Sequence, residues 1–185
     1  MIPLLPKFLK EQETLTGASK GTAYHRLLEL LDFTKERDEA ILAKEIASYQ
    51  TEGYLTEDMG ACIFAKDILG FFETPIAKRA QQAAEQNLLF KEQPFVLGVD
   101  AKDVYGVAGG EEILLVQGII DVYFEEDGEL VVLDYKTDRV SRESELRERY
   151  HAQLDYYAKA LEQLTGKTVK EKLIYSFALQ RTIEV

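Results

Sequence analysis

Asp121, Asp134 and Lys136 stand in the stretch Q-G-I-I-D-V-Y-F-E-E-D-G-E-L-V-V-L-D-Y-K-T-D, from Gln117 to Asp138. Two carboxylates and an amine brought together are the parts of a cation-assisted hydrolytic site, so their spacing matters. Asp127-Gly128, flanked by runs of Val, Ile, Leu and aromatics, is the strongest short-range signal for a two-residue hairpin turn. Pairing outward from that turn sets Glu126 against Glu129, Asp121 against Asp134 and Ile119 against Lys136. Side chains alternate faces, so both aspartates and the lysine are expected on one face. Like charges opposed across a ladder destabilise it. The surrounding Ile119, Ile120, Val122, Val131, Val132 and Leu133 predict burial on both faces, where a lone carboxylate is costlier still. A divalent cation between the carboxylates resolves the conflict, because hard cations take oxygen ligands. Lys136 beside it can then orient a water or offset charge on a phosphate. A surface hairpin with solvated charges would instead show polar residues along one whole face.

The elements that must position these groups follow from periodicity. From Thr22, the spacing of Tyr24, Leu27, Leu28 and Leu31 predicts a helix. His25 lies on the flank of its apolar stripe, with Glu29 one turn later. It reads either as a boundary histidine or as a metal ligand whose other ring nitrogen Glu29 holds. Residues 36–50 and 57–72 predict two more helices, broken at Gly53. Thr74-Pro75 opens another, running to about Asn87. Leu88 to Val99 is strand-like, with Pro94 marking an edge or a bulge. Within it, Glu92 is either an exposed strand charge or a carboxylate steered toward the metal. Asp100 to Gly110 reads as a Gly-containing loop. Leu146, Tyr150, Leu154, Tyr157, Leu161 and Leu164 form a helical stripe capped by Gly166. On that helix, Gln153 and Tyr157 are one turn apart and can address the same ligand. The arginines around it are interleaved with Glu143, Glu145 and Glu148, as on a solvated face. Val169 to Leu179 is a final strand. Gly17 to Thr22 lacks the order of a phosphate loop and reads as a turn into a helix, with Ser19 or Thr22 near the cap.

These elements predict an α/β fold: a central mixed sheet from strands near 92–99, 113–125, 129–136 and 169–179, flanked by helices, with a helical N-terminal half. Residues 1–20 are expected as a lead-in arm or linker and 21–185 as one domain. With 185 residues the chain is long enough for a full core. Cys62 is its single cysteine, which excludes a disulfide framework and an iron–sulfur cluster within it. There is no apolar run of about 18 residues, hence no membrane span, and the N-terminus does not read as a signal peptide. A cytoplasmic location is the expectation. The net charge of −11 repels a polyanion at long range, so a nucleic-acid substrate would have to be delivered.

The combination resembles the RecB-type branch of the PD-(D/E)XK nucleases, in particular the C-terminal nuclease domains of the AddA (RexA) subunits of bacterial AddAB helicase–nucleases. The matching stretches are G-T-A-Y-H-R-L-L-E at 21–29, K-E-Q-P-F at 91–95, G-I-I-D at 118–121, D-Y-K-T-D at 134–138 and Q-L-D-Y-Y-A-K-A-L at 153–161. The resemblance implies a restriction-endonuclease-like core. It makes His25, Asp121, Asp134 and the backbone carbonyl of Tyr135 the ligands of Mg²⁺ or Mn²⁺, with Lys136 the catalytic lysine. Gln153 and Tyr157 become the residues that place the DNA strand, and Glu92 the strand acid. It further implies exonucleolytic hydrolysis of single-stranded DNA ends fed by an upstream helicase region, alongside an AddB-type partner, in double-strand-break repair and recombination. ATP would act only in the longer parent, since this chain has no Walker motif. Two other readings stand beside this one: a non-catalytic DNA-end-binding scaffold on the same fold, and a stand-alone exonuclease.

Overall fold

The computed structural model describes residues 20–100 and 113–185. Helices α1 (Lys20–Leu30), α2 (Glu39–Thr51), α3 (Glu57–Cys62), α4 (Ala65–Phe72) and α5 (Pro75–Glu85) come first. Strands β1 (Leu89–Asp100), β2 (Ile113–Glu126) and β3 (Glu129–Lys136) follow, then α6 (Glu143–Thr165), β4 (Val169–Ser176) and β5 (Arg181–Glu184). The five strands form one sheet in the order β1-β2-β3-β4-β5. Only β3 and β4 run parallel, joined through α6, so the sheet is mixed and the expected α/β architecture holds.

The sheet is covered on both faces. Val122, Phe124, Val131, Leu133 and Tyr135 pack beneath the N-terminal helices against Tyr24, Leu27, Leu28 and Phe71. Ile120, Tyr123, Leu130, Val132 and Ile174 pack against Leu146, Tyr150, Leu154, Tyr157 and Leu161 of α6. The alternation of Leu130 and Val132 with Val131 and Leu133 makes β3 a strand buried on both sides. Ile119 and, on α6, Leu164, both expected in the core, are solvent-facing instead, as is Phe64, whose apolar side chain also read as core.

The hairpin turn is the one expected. Asp127 and Gly128 both have positive φ, at 56° and 83°, as a two-residue turn matched to strand twist requires. The register runs from Glu126↔Glu129 to Val122↔Leu133.

Three elements differ from the sequence-based expectation. The helix expected over 57–72 is two helices, because Ile63 and Phe64 are extended and the Phe64 N–H donates to the Tyr24 hydroxyl (3.2 Å). The last strand stops at Ser176. A turn over 177–180, with Gln180 at φ 50°, then leads into β5, which pairs back on β4. That turn is built from F-A-L-Q and carries no Gly or Pro to announce it. Finally, β1 is an edge strand, as Pro94 indicated, but its irregularity sits at Glu92. This residue adopts φ 51° between the pairs Lys91↔Val122 and Gln93↔Ile120, so the ladder skips the position opposite Asp121 while its register continues unchanged on either side. Of the arm expected at 1–20 and the loop expected at 100–110, Lys20 opens α1 and Asp100 ends β1, and the rest lies outside the described residues.

Candidate active site

A cleft of about 820 Å³ opens where the C-terminal end of β3 meets α1, α6 and Glu92 of β1. His25, Glu29, Glu92, Asp121, Asp134, Tyr135, Lys136, Gln153 and Tyr157 all line it. The topology thus gathers every site residue expected from the sequence, from two helices and three strands.

Asp121 is placed by a departure from the ladder. Beyond Val122↔Leu133 its Oδ2 accepts the Tyr135 N–H at 2.8 Å. The expected direct opposition of Asp121 and Asp134 is therefore replaced by a side-chain-to-backbone bridge, which turns Asp121 toward α1. There His25 Nδ1 lies 3.3 Å from Asp121 Oδ1. His25 Nε2–H donates to the Tyr135 carbonyl oxygen at 2.9 Å. One imidazole thus spans a carboxylate and a main-chain oxygen. Burial pulls the His25 pKa down, but the Asp121 charge outweighs it and holds the imidazolium up to about 9.

On the α6 side, Lys136 Nζ is 2.8 Å from Asp134 Oδ2 and 3.1 Å from Gln153 Oε1. Gln153 Nε2 in turn donates to the Tyr157 hydroxyl at 2.8 Å. Among the described residues, the Lys136 ammonium is thus the one close partner of the buried Asp134 Oδ2. Burial and the nearby Asp121 charge lift the Asp134 pKa despite Lys136. Burial also dominates at Glu92, pushed up to about 7 with Asp121 adding to it. Burial would lower Lys136, yet the charges of Asp134 and Asp121 raise it.

Glu29 does not hold His25. Arg26, three residues away, takes its carboxylate at 2.6 Å, while both His25 nitrogens face other partners. A guanidinium offers a stronger charge-assisted bond than a shared imidazole proton. Arg26, Asp138 and Tyr150 also line the cleft, although nothing in their sequence context assigned them there. Asp138 stands in D-Y-K-T-D, and Tyr150 read as one member of a core stripe.

The donor set fits a hard divalent cation. Asp121, Asp134 and the Tyr135 carbonyl offer oxygen, and His25 offers nitrogen. Asp121, Asp134 and Glu92 share the cleft, and the raised pKa of both Asp134 and Glu92 marks a pocket with more carboxylate than its own cations balance. Among the described residues no three His, Cys, Asp or Glu side chains form a ready cluster. One of the four donors is main chain, Asp134 is turned onto Lys136, and His25 onto Tyr135.

A family model described as the PD-(D/E)XK nuclease superfamily matches residues 5–183. Curated relatives named as the A subunits of ATP-dependent helicase/nucleases are similar over nearly the whole chain. The protein of Lachnoclostridium phytofermentans is 35% identical over 218 residues, covering 99% of this chain and 16% of that protein. That of Clostridium novyi is 33% identical, covering 97% and 15%. That of Thermoanaerobacter sp. is 38% identical, covering 93% and 14%. The chain thus spans about a seventh of the length of the relatives it matches.

Proposed function

The chain belongs to the PD-(D/E)XK nuclease superfamily, and from that membership we propose that its cleft hydrolyses DNA phosphodiesters with Mg²⁺ or Mn²⁺. One observation carries the reading: Lys136 Nζ, held between Asp134 and Gln153, shares a single cleft with Asp121, His25 and the Tyr135 carbonyl. Asp121, Asp134, His25 and the Tyr135 carbonyl would hold the cation. A bound divalent cation supplies charge for a phosphate oxygen and a lower pKa for a water at the same place. Lys136, kept protonated by the two carboxylates, orients that water or offsets charge on the phosphate. Gln153 fixes the lysine and, with Tyr157, forms the wall along which a strand is placed.

With a net charge of −11, independent capture of DNA is disfavoured. We read the chain as a nuclease module of a longer helicase–nuclease, with an upstream motor feeding single-stranded ends and an AddB-type partner beside it. Its place would be the cytoplasmic processing of double-strand breaks for recombination.

Cleavage of labelled single-stranded DNA by the purified chain tests this. Activity is expected with Mg²⁺ or Mn²⁺ and is expected to stop on chelation. Lys136→Met should lower the rate at least ~10²-fold, the scale of losing one charge-stabilising group. Cleavage in chelator, or a Lys136→Met rate near wild type, would defeat it.

A further inference from the structure

Lys136 carries the chemistry proposed above, yet two polar partners leave one side of its ammonium open. The Tyr150 ring covers that side, its centroid 4.0 Å from Nζ. Tyr150 is 3% exposed and comes from α6, one turn before Gln153. Its hydroxyl donates to Asp138 Oδ1 at 2.9 Å, and Arg149 Nη1 donates to the same oxygen at 2.6 Å. Asp138 lies in the segment that leaves β3 after Lys136. The ring is therefore pinned at both ends, by the helix backbone and by a carboxylate that a guanidinium holds in place.

We propose that Tyr150, anchored by Asp138, is the positioning residue for Lys136: its ring face fixes the ammonium toward Asp134 and the cleft. An aromatic face suits this task. It attracts a cation through its quadrupole, and the attraction is strongest where water is excluded. It also offers no carboxylate that would take up the charge Lys136 needs for the phosphate. Asp134 and Gln153 set the direction of the ammonium, and the ring closes the remaining side against rotation of a long, flexible stem. Tyr150 acts through the lysine.

The inference rests on the catalytic role of Lys136, and the experiment separates the two. Steady-state cleavage of single-stranded DNA with Mn²⁺ is measured for the wild type, Tyr150→Leu, Tyr150→Phe, Lys136→Met and the Lys136→Met/Tyr150→Leu double variant. Tyr150→Leu should lower kcat about tenfold at unchanged KM, the scale of a desolvated cation–ring contact. Tyr150→Phe keeps the ring and should recover most of that loss. In the Lys136→Met background, Tyr150→Leu should cost nothing further. Should the leucine variant fail to fold, Tyr150→Met takes its place, since its unbranched, adaptable side chain reaches further into the space the ring leaves. An unchanged kcat in the ring-less variant, or an equal loss with and without the lysine, overturns the positioning role. A Lys136→Met enzyme as active as wild type overturns the reading beneath it.

Discussion

Asp121 uses each carboxylate oxygen differently: Oδ2 caps the Tyr135 N–H, and Oδ1 faces His25. This is why the histidine sits against the very oxygens a cation would need. The imidazolium bridges the Tyr135 carbonyl and Asp121; on the reading proposed above, a bound cation would take neutral imidazole as a ligand instead. His25→Ala should therefore raise the Mn²⁺ concentration for half-maximal cleavage at least several-fold while leaving the fold intact. Titrating activity against Mn²⁺ checks this, and an unchanged midpoint would reduce His25 to a boundary residue. Helical spacing alone left both readings of His25 open. It placed the ring on the flank of the apolar stripe but held no information about the strand carbonyl 110 residues away. It also made Glu29 a neighbour without revealing that Arg26 would claim it. The gathering of Asp121, Asp134 and Lys136 in one cleft was legible because Asp127-Gly128 sets the register only a few residues away.

Among the elements, the left-handed residue Glu92 in β1 shows where pattern reasoning stops. Pro94 betrayed an irregular edge, but not that Glu92 would take a left-handed conformation, which costs a non-glycine residue roughly 1–2 kcal/mol. Strain of this kind persists where the surroundings over-determine it, and here the Glu92 carboxylate lines the cleft. Stability and function should then move apart on substitution. Glu92→Gly is expected to melt at or above the wild type in chelator, since it relieves about 1 kcal/mol of backbone strain and removes a carboxylate whose charge burial disfavours. The same variant should need more Mn²⁺ for cleavage. A lower melting temperature with unchanged metal dependence would make Glu92 an ordinary strand residue. The missed β5 has a different cause: F-A-L-Q at 177–180 turns through tertiary packing of Phe177 beside Tyr24 and Phe71, a contact no local signal encodes.

The molecule as a whole is stapled far from the cleft by Arg79 of α5. Its guanidinium bonds Glu126 of β2 and Glu171 of β4, and Lys170 also pairs with Glu126. Those partners hold Glu126 down from 4.5 to about 2. A depressed carboxylate contributes stability above its unfolded pKa and loses it as pH falls through the folded one. The Arg79 staple should thus weaken between about pH 4.5 and 2. Arg79→Met should lower the melting temperature at neutral pH and flatten its decline over that window; an unchanged acid limb would show the staple to be inert. At the other end of the sheet, burial is offset at Asp121 by His25, which holds its carboxyl down, but it prevails at Asp134 and Glu92, and for those two the sign reverses. Asp134 has a raised pKa, so its negative charge destabilises the metal-free fold at neutral pH, and cation binding relieves it. Thermal melting of the wild type and Asp134→Asn, each in chelator and in Mn²⁺, tests the paired-carboxylate site most directly. At a hundredfold excess over Kd, Mn²⁺ should stabilise the wild type by about 2.7 kcal/mol, or roughly 5–10 °C for a chain of this size. Asp134→Asn should melt at or above the wild type in chelator, gain little from Mn²⁺ and cleave no DNA. An Asp134→Asn protein that melts well below the wild type in chelator, yet gains as much from Mn²⁺, would contradict a cation held between these carboxylates.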